Sequence, residues 1–384
     1  MREASIPSVR RLPGDLLLVN RPVSAIKPHH HHSFMVPFSD KEHQSTDWRG
    51  IHSRICMLVV PLRTPVAVLG SEEERAHRET QTRRRQVHLL ELTKTEAHKK
   101  LYEGEYHLAI PAALQALRFS MQVYGPNSEK LVPAYLLLGE SSIGLNQLSQ
   151  AEDYLSLAKW ALMKKSAGKK LQQQQQQQQQ QTHPPRHQQS DTGEGGEALV
   201  GTGESEKEED EVLALLNRNF GLLYLKKGKT DDAVRCFALD IYHLSIAKND
   251  PEDLSVTGGY FHLGTVLNTL PNRAVDCHAL FDRVAEIWRT ALMRPTTSLQ
   301  LDEAQQAEGI QILTAISTCI TTTPAALFAA AKAQHALALL LSRSSSEPKS
   351  RAKAAAEKAL EMDPGAGVMD PRLTEVANWE VTVT

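Results

Sequence analysis

The sequence has few cysteines, few aromatic side chains, no long apolar run and almost no net charge. Its four cysteines (Cys56, Cys236, Cys277 and Cys319) are widely separated and form no CxxC pair. This argues against a disulfide scaffold and favours a reducing compartment. A formal net charge of −2 over 384 residues gives no overall field toward nucleic acid or a membrane surface. No apolar stretch reaches the roughly 20 residues of a membrane helix, so we expect a soluble cytoplasmic protein without membrane insertion.

Catalytic and cofactor motifs are also missing. The chain has no phosphate-binding GxxxxGK[ST], no dinucleotide GxGxxG, no HExxH, no GxSxG and no set of kinase motifs. Gly201-Thr202-Gly203 follows no predicted strand, and His262 stands alone on a predicted helix. We therefore expect no enzyme activity and no catalytic residue.

What the sequence does contain is a helical hairpin at Leu131–Leu162. Its first helix carries Tyr135 and Leu138 beside the small residue Gly139, and its second carries Ala151 and Leu155. This order is typical of the tetratricopeptide repeat (TPR), with its W-x2-L-G-x2-Y and A-x3-F patterns. Gly139 and Ala151 are expected where the two helices cross, because small residues let the backbones approach. The sequence predicts an all-α fold of TPR hairpins stacked into a right-handed superhelix.

The same pattern recurs along the chain at a longer period than the usual 34 residues. Ala109 precedes Ala151 by 42 residues, and Gly221 precedes Gly264 by 43. Gly139 and Gly221 are 82 residues apart, which leaves about one extra period for an insertion. That insertion coincides with a low-complexity stretch whose run Gln172–Gln181 is followed by Gly and Glu clusters. We expect a disordered loop there.

Composition and period together divide the chain into seven segments. We predict a disordered N-terminal segment (1–42), a short finger-like helix (43–60), a first set of TPR hairpins (71–163), the low-complexity insertion (164–210), a second set of hairpins (211–294), C-terminal helical repeats (300–362) and a flexible tail (363–384).

The stretch HQSTDWRGIHSRIC resembles the tail of a MYND zinc finger. By that resemblance His43 serves one zinc ion, and His52 with Cys56 serves another. No cysteine precedes Cys56, so neither site reaches four protein ligands, and we expect no zinc and no other cofactor. An intact finger would bind zinc. The alternative is that Trp48, Ile51, Ile55 and Leu58 simply pack as a helix.

A partner groove is expected on the first helices of the hairpins, on the side facing away from the helix crossings. Asn219 suits a peptide backbone because an amide donates and accepts at once, and Arg218 could pair with an acidic group. The competing interpretation is that these side chains face solvent or touch neighbouring repeats. The groove candidates are Leu136, Glu140, Arg218, Asn219, Phe261 and His262.

Several long strings between Asp47 and Ile316 resemble a family that combines a MYND finger with TPR hairpins. They include DWxxIHxxICxLxxPLRTP, PAALQALRF, LVPAYLLL, RNxGLLY, GGYFHL and LDEAQxAExIxILTxI. The resemblance implies a non-enzymatic scaffold in the axoneme of motile cilia and sperm flagella. Its implied partners are dynein-arm components and another TPR protein. The alternative is a soluble TPR adaptor or co-chaperone that clamps acidic peptide tails, although only one arginine stands among the groove candidates.

Overall fold

A computed structural model describes residues 41–63, 71–182, 200–294, 299–319, 323–344 and 347–379 of the chain. Every regular element in these ranges is a helix, and none of their residues forms a β-strand, as predicted. The α-helices, in chain order, are α1 (Lys41–Asp47), α2 (Ser53–Val59), α3 (Glu72–Tyr102), α4 (Tyr106–Tyr124), α5 (Val132–Gly144), α6 (Leu148–Thr182), α7 (Val200–Lys226), α8 (Thr230–Lys248), α9 (Thr257–Asn268), α10 (Ala274–Met293), α11 (Glu303–Thr318), α12 (Pro324–Arg343), α13 (Lys349–Met362), α14 (Ala366–Met369) and α15 (Pro371–Ala377).

Local capping explains where several of these helices begin. The Ser71 hydroxyl accepts a hydrogen bond from the Glu74 amide at 3.1 Å, and acidic residues follow in the first turn of α3. At α11 the Asp302 carboxylate accepts from the Gln305 amide, while the Gln305 side chain accepts from the Asp302 amide. These short polar patterns are visible in the sequence, which is why the helix starts are predictable.

Consecutive helices pack as hairpins: α3 with α4, α5 with α6, α7 with α8, α9 with α10 and α12 with α13. In three of them a glycine lies against a large side chain of the partner helix. A Cβ atom added to Gly139 would lie 2.8 Å from Leu155. Added to Gly221 it would lie 2.6 Å from Phe237, and added to Gly264, 2.7 Å from Phe281. The predicted close approach therefore occurs at each repeat of the pattern.

The end of the chain differs from the predicted flexible tail at 363–384. Helix α15 buries Leu373 and Val376 against α12 and α13, and Arg372 donates to the carbonyls of Leu292 and Met293. Proline suggested an end to regular structure, but Pro371 occupies the first turn of α15, where no amide hydrogen is needed. The segment 363–379 is thus packed, and residues 380–384 lie outside the described ranges.

The low-complexity insertion also differs from the expected loop over part of its length. Helix α6 continues to Thr182 and α7 begins at Val200, so residues 164–182 and 200–210 are helical. Glutamine and lysine favour helices, and extending a packed helix needs no new nucleation. Residues 183–199 lie outside the described ranges. So do residues 1–40, which hold nearly all of the predicted disordered segment 1–42.

Candidate functional site

Helix α11 does not continue the row of hairpins. It packs against α12, but also against α3, which precedes it by some 200 residues, and against α9 and α10. Its apolar side, Ile312, Leu313 and Ile316, is buried. At Gly309 an added Cβ would lie 2.6 Å from the Trp288 ring, so only glycine permits this approach. The region predicted as helical repeats (300–362) therefore begins with a helix that packs mainly against α12 and against the distant helix α3.

A buried ionic cluster joins α11 to both helices of the α7–α8 hairpin. We call Arg218, Asp240 and Glu308 the Arg218 cluster. The Arg218 guanidinium donates to Asp240 at 2.7 and 3.4 Å, to Glu308 at 3.3 Å and to the carbonyl of Ser255 at 3.2 Å. Because Arg218 and Asp240 are buried, each charge depends on its partners for the solvation that water would supply. The cluster therefore links α7, α8 and α11.

Two adjacent glycines at the start of α9 make room for this cluster. A Cβ on Gly258 would lie 2.6 Å from Arg218 Nη1 and 2.8 Å from Glu308 Oε1. A Cβ on Gly259 would lie 2.9 Å from Asp240 Oδ2. Any side chain here would displace the ion pairs. Two consecutive glycines are unusual inside a helix. Here they allow the α9 backbone to approach the charged groups of the Arg218 cluster.

Burial shifts the protonation of the groups around Arg218. Burial raises the pKa of Asp240 and of Glu308, and the neighbouring Arg218 opposes both shifts. Burial also raises the pKa of Glu140 to about 7, against a lowering influence of Arg218. Conversely, burial would lower the pKa of Arg218, but Asp240 and Glu308 raise it overall, so its charge is permanent. The site holds more carboxylates than cations, and Glu140 is the group that titrates near neutral pH.

A second, more exposed set of ion pairs holds the first turn of α11. Glu303 accepts from Arg54 Nη2 at 2.9 Å and from Lys99 Nζ at 2.7 Å. Arg54 also contacts Glu96 on α3. Hydrogen bonds from Arg54 and Lys99 lower the pKa of Glu303 to about 2. The finger-like helix α2, which carries Arg54, and α3 are thereby tied to α11.

The predicted groove residues on α5 and α7 lie inside the protein. Leu136, Arg218 and Asn219 are buried, and Glu140 is partly buried. Asn219 forms a side-chain hydrogen bond with Glu140 and donates to the carbonyl of Leu215 at 3.1 Å. Its carbonyl oxygen is buried and has no hydrogen-bond partner within the described part of the chain. The structure brings Glu140, Arg218 and Asn219 together and places Leu136 in a separate apolar cluster.

The predicted groove residues on α9 pack against aromatic side chains of the second helices. Phe261 stacks on Phe281 with a centroid distance of 5.9 Å, and His262 stacks on Phe237 at 5.4 Å. Burial lowers the pKa of His262 to about 3, so its imidazole is neutral at physiological pH. Like Arg218, these side chains already have partners in the same chain.

A cleft of about 670 Å³ lies between α3, α11 and the start of α13. Tyr102 and Ile310 form part of its wall, and Lys99, Glu347 and Arg351 line it as well. Charges of both signs line it, so it shows no preference for an acidic ligand.

The zinc-ligand candidates do not form a metal site. His43 is exposed, and His52 Nδ1 lies 3.4 Å from Asp47 Oδ2. A structural zinc ion needs four ligands, and in the described ranges no three His, Cys, Asp or Glu side chains gather in a metal-binding arrangement. The residues present therefore do not fit zinc. His29–His32 lie outside the described residues.

The alternative prediction, that Trp48, Ile51, Ile55 and Leu58 pack as a helix, holds for only part of this set. Ile51 and Ile55 are buried against α4 and its neighbours, whereas Trp48 is 52% exposed and Leu58 40%. The turn that carries Trp48 and His52 is a π-helix. Ile51 and Ile55 thus attach this segment to the packed helices.

Sequence reasoning missed Asp240, Glu308 and Tyr102. The Tyr102 hydroxyl hydrogen-bonds to Glu308, and burial raises its pKa. Asp240 follows Phe237 by three residues and precedes Leu244 by four, so it sits on the apolar side of α8. An acid in that position signals a buried cation, but sequence alone does not name Arg218 as that cation.

No protein-family model matches the chain. No helix within the described ranges is both long enough and apolar enough to cross a membrane.

Proposed function

We propose that the chain is a non-enzymatic TPR scaffold that binds other proteins. Three hairpins share the same glycine crossing, at Gly139, Gly221 and Gly264. The last two glycines are 43 residues apart, close to the 42 residues between Ala109 and Ala151, and both observations support this reading. Hairpins of that kind stack with a constant small rotation and form a superhelix, which is right-handed for TPR units. The proposal includes an inner side that α11 partly closes, since Glu308 of α11 pairs with Arg218 of α7 and α11 also contacts α9.

The single observation that carries the proposal is the engagement of Arg218 with Asp240 and Glu308. A peptide clamp needs unpaired donors in its groove, whereas the Arg218 guanidinium already has three acceptors in its own chain. Binding on outer surfaces of the hairpins is therefore favoured over the alternative of an adaptor for acidic tails. Exposed apolar side chains on the second helices, including Trp160 and Tyr242, suit such binding.

The proposed location is the axoneme of motile cilia and sperm flagella, with dynein-arm components and another TPR protein as partners. This part rests on the family resemblance of the strings between Asp47 and Ile316. It is consistent with a small net charge of −2 and with a scaffold that needs no cofactor.

The location is tested by detergent extraction of ciliated cells that express the tagged chain, followed by proximity labelling. We expect the chain in the detergent-resistant axoneme, with labelled dynein-arm subunits. Recovery of the chain only in the detergent-soluble fraction would contradict the location while leaving the scaffold proposal standing.

The adaptor alternative has its own test in vitro. Fluorescent peptides with acidic C-terminal tails should show no saturable binding to the purified chain at micromolar concentrations. Micromolar binding that is lost on charge reversal of the tail would favour the adaptor instead. Metal analysis of the same preparation should find less than one zinc ion per chain, since the finger-like segment does not provide four ligands.

A further inference from the structure

Helix α6 presents an apolar face to solvent in its packed half. Leu157, Trp160 and Met163 are 44%, 61% and 60% exposed, and Asp153 and Lys164 are exposed at either end of this stretch. We call these five residues the α6 outer face. The opposite side of the same helix packs Leu155 and Ala158 into the hairpin. Large apolar side chains that adjoin one another on an exposed surface are typical of interaction sites, whereas isolated ones are not.

The spacing on this face is that of a coiled-coil seam. Asp153, Leu157, Trp160 and Lys164 lie at i, i+4, i+7 and i+11, which alternates steps of four and three. Such positions form one stripe along a helix and suit packing against a second helix. The stripe runs over about 16 Å, from one charged end to the other.

Charge is distributed along the stripe so that it complements itself. The acidic end, Asp153, and the basic end, Lys164, are equally distant from the midpoint between Leu157 and Trp160. Lys164 lies over the Trp160 ring, with Nζ 5.2 Å from the centroid. Among the described side chains Asp153 has no ion-pair partner, although Glu152 beside it pairs with Lys227.

We propose that the α6 outer face binds the same face of a second copy of the chain, with the two α6 helices antiparallel. A two-fold axis between Leu157 and Trp160 then places Asp153 opposite Lys164 of the second copy, and Leu157 opposite Trp160 of the second copy. The ion pair and the apolar contact each form twice, as two-fold symmetry requires. Because the steps along the stripe alternate between four and three, its residues alternate between the two kinds of seam position of a coiled coil. The axis places each kind opposite the other, as in antiparallel coiled coils.

A parallel arrangement is disfavoured by the same residues. It would set Asp153 against Asp153 and Lys164 against Lys164, and like charges in direct opposition destabilise a pair. Since the face is one helix wide, it buries less surface than the roughly 1,600 Å² of a standard interface. We therefore expect a reversible dimer with a dissociation constant on the order of micromolar.

Sedimentation of the full chain from about 1 to 100 µM tests this proposal, because that range brackets a micromolar dissociation constant. The wild-type chain should pass from monomer to dimer. In Asp153→Lys, the antiparallel dimer meets lysine against lysine at both ends, so the dissociation constant should rise roughly tenfold or more. In the double variant Asp153→Lys with Lys164→Asp, the pairs are exchanged and the dimer should return to within about threefold of wild type.

The matched control is Glu361→Lys, which makes the same charge change at an exposed position of α13. It should leave the dissociation constant unchanged. Circular dichroism of every variant should match wild type, because the substituted side chains are exposed. A monomer throughout the concentration range would overturn the proposal. So would a dimer that Asp153→Lys does not weaken, or one that the double variant fails to restore.

Discussion

The guanidinium of Arg218 on α7 lies 3.3 Å from the carboxylate of Glu308 on α11, across 90 residues of sequence. This ion pair ties a helix from the C-terminal part of the chain to a helix of an earlier hairpin. It occupies the arginine that would otherwise be offered to an acidic ligand. The position of α11 therefore bears directly on which surface of the protein can bind a partner.

Replacing Arg218 by methionine should lower the free energy of unfolding by about 3–5 kcal/mol, because Asp240 and Glu308 would remain buried without a cation. Urea denaturation followed by far-UV circular dichroism measures this loss. The triple variant with Asp240→Asn and Glu308→Gln removes the orphaned charges and should recover most of the stability. A loss below about 1 kcal/mol in the single variant would show that water solvates the site.

Replacing Glu140 by glutamine should stabilise the protein at high pH. The folded-state pKa of Glu140 is about 7, above its ordinary value of 4.5. The folded state therefore holds this proton while the unfolded state has lost it, and stability falls as pH rises from 4.5 through 7. Because glutamine does not ionise, the variant should gain roughly 1–3 kcal/mol over wild type at pH 8 and almost nothing at pH 4.5.

Measuring the free energy of unfolding of both proteins at four or five pH values between 4.5 and 8 tests this prediction. Glu361→Gln, at an exposed position of α13, is the matched control and should show no such trend. A constant difference between wild type and Glu140→Gln at every pH would mean that Glu140 ionises normally in the folded protein.

Replacing Glu303 by glutamine should loosen the first turns of α11. Hydrogen bonds from Arg54 and Lys99 hold the pKa of Glu303 at about 2, so its contribution is present above pH 4.5 and is lost as pH falls through 2. Glu303 is half exposed, so we expect a loss of stability of about 1 kcal/mol or less. Amide hydrogen exchange should accelerate in α11 and remain unchanged in α12.

Glu91→Gln serves as its control, because it removes an ion pair with Lys94 inside a single helix. It should not alter exchange in α11. Unchanged exchange in Glu303→Gln would mean that the apolar side of α11 alone determines its attachment.

Replacing Gly221 by alanine should destabilise the α7–α8 hairpin by about 1–3 kcal/mol, because the added methyl overlaps the Phe237 ring. Gly168→Ala is the matched control. A Cβ at Gly168 meets nothing within 4 Å, so that substitution should be neutral or stabilising by up to about 1 kcal/mol. Thermal unfolding of the two variants side by side provides the test, and equal effects would contradict the close approach at Gly221.

The hairpins and their crossings were predictable because they depend on short-range pattern. Gly139, Gly221 and Gly264 each precede the bulky residue that they meet by 16 or 17 residues, and caps such as Ser71 lie beside the helix they start. Helical period, small residues at crossings and polar caps act within one hairpin. They can therefore be recognised in the sequence without knowledge of the rest of the chain.

The sequence predicted only some members of the site. Arg218 and Asn219 were singled out, but both are buried: Arg218 pairs with Asp240 and Glu308, and Asn219 bonds to Glu140 and to the Leu215 carbonyl. Glu308 is an unremarkable acid in a helix with many polar residues, and nothing local connects it to an arginine 90 residues earlier. Long-range pairs of this kind depend on the path of the chain between the two helices.

The sequence alone thus determined the helical class, the repeated hairpins and the small residues at their crossings, since each follows from local periodicity and side-chain size. Only the tertiary structure decided that α11 folds back against α3, that Arg218 pairs with carboxylates of its own chain, and that the segment after Pro364 packs as α14 and α15. Those outcomes depend on burying apolar surface and on matching buried charges between distant segments, and both require the folded arrangement of the whole chain.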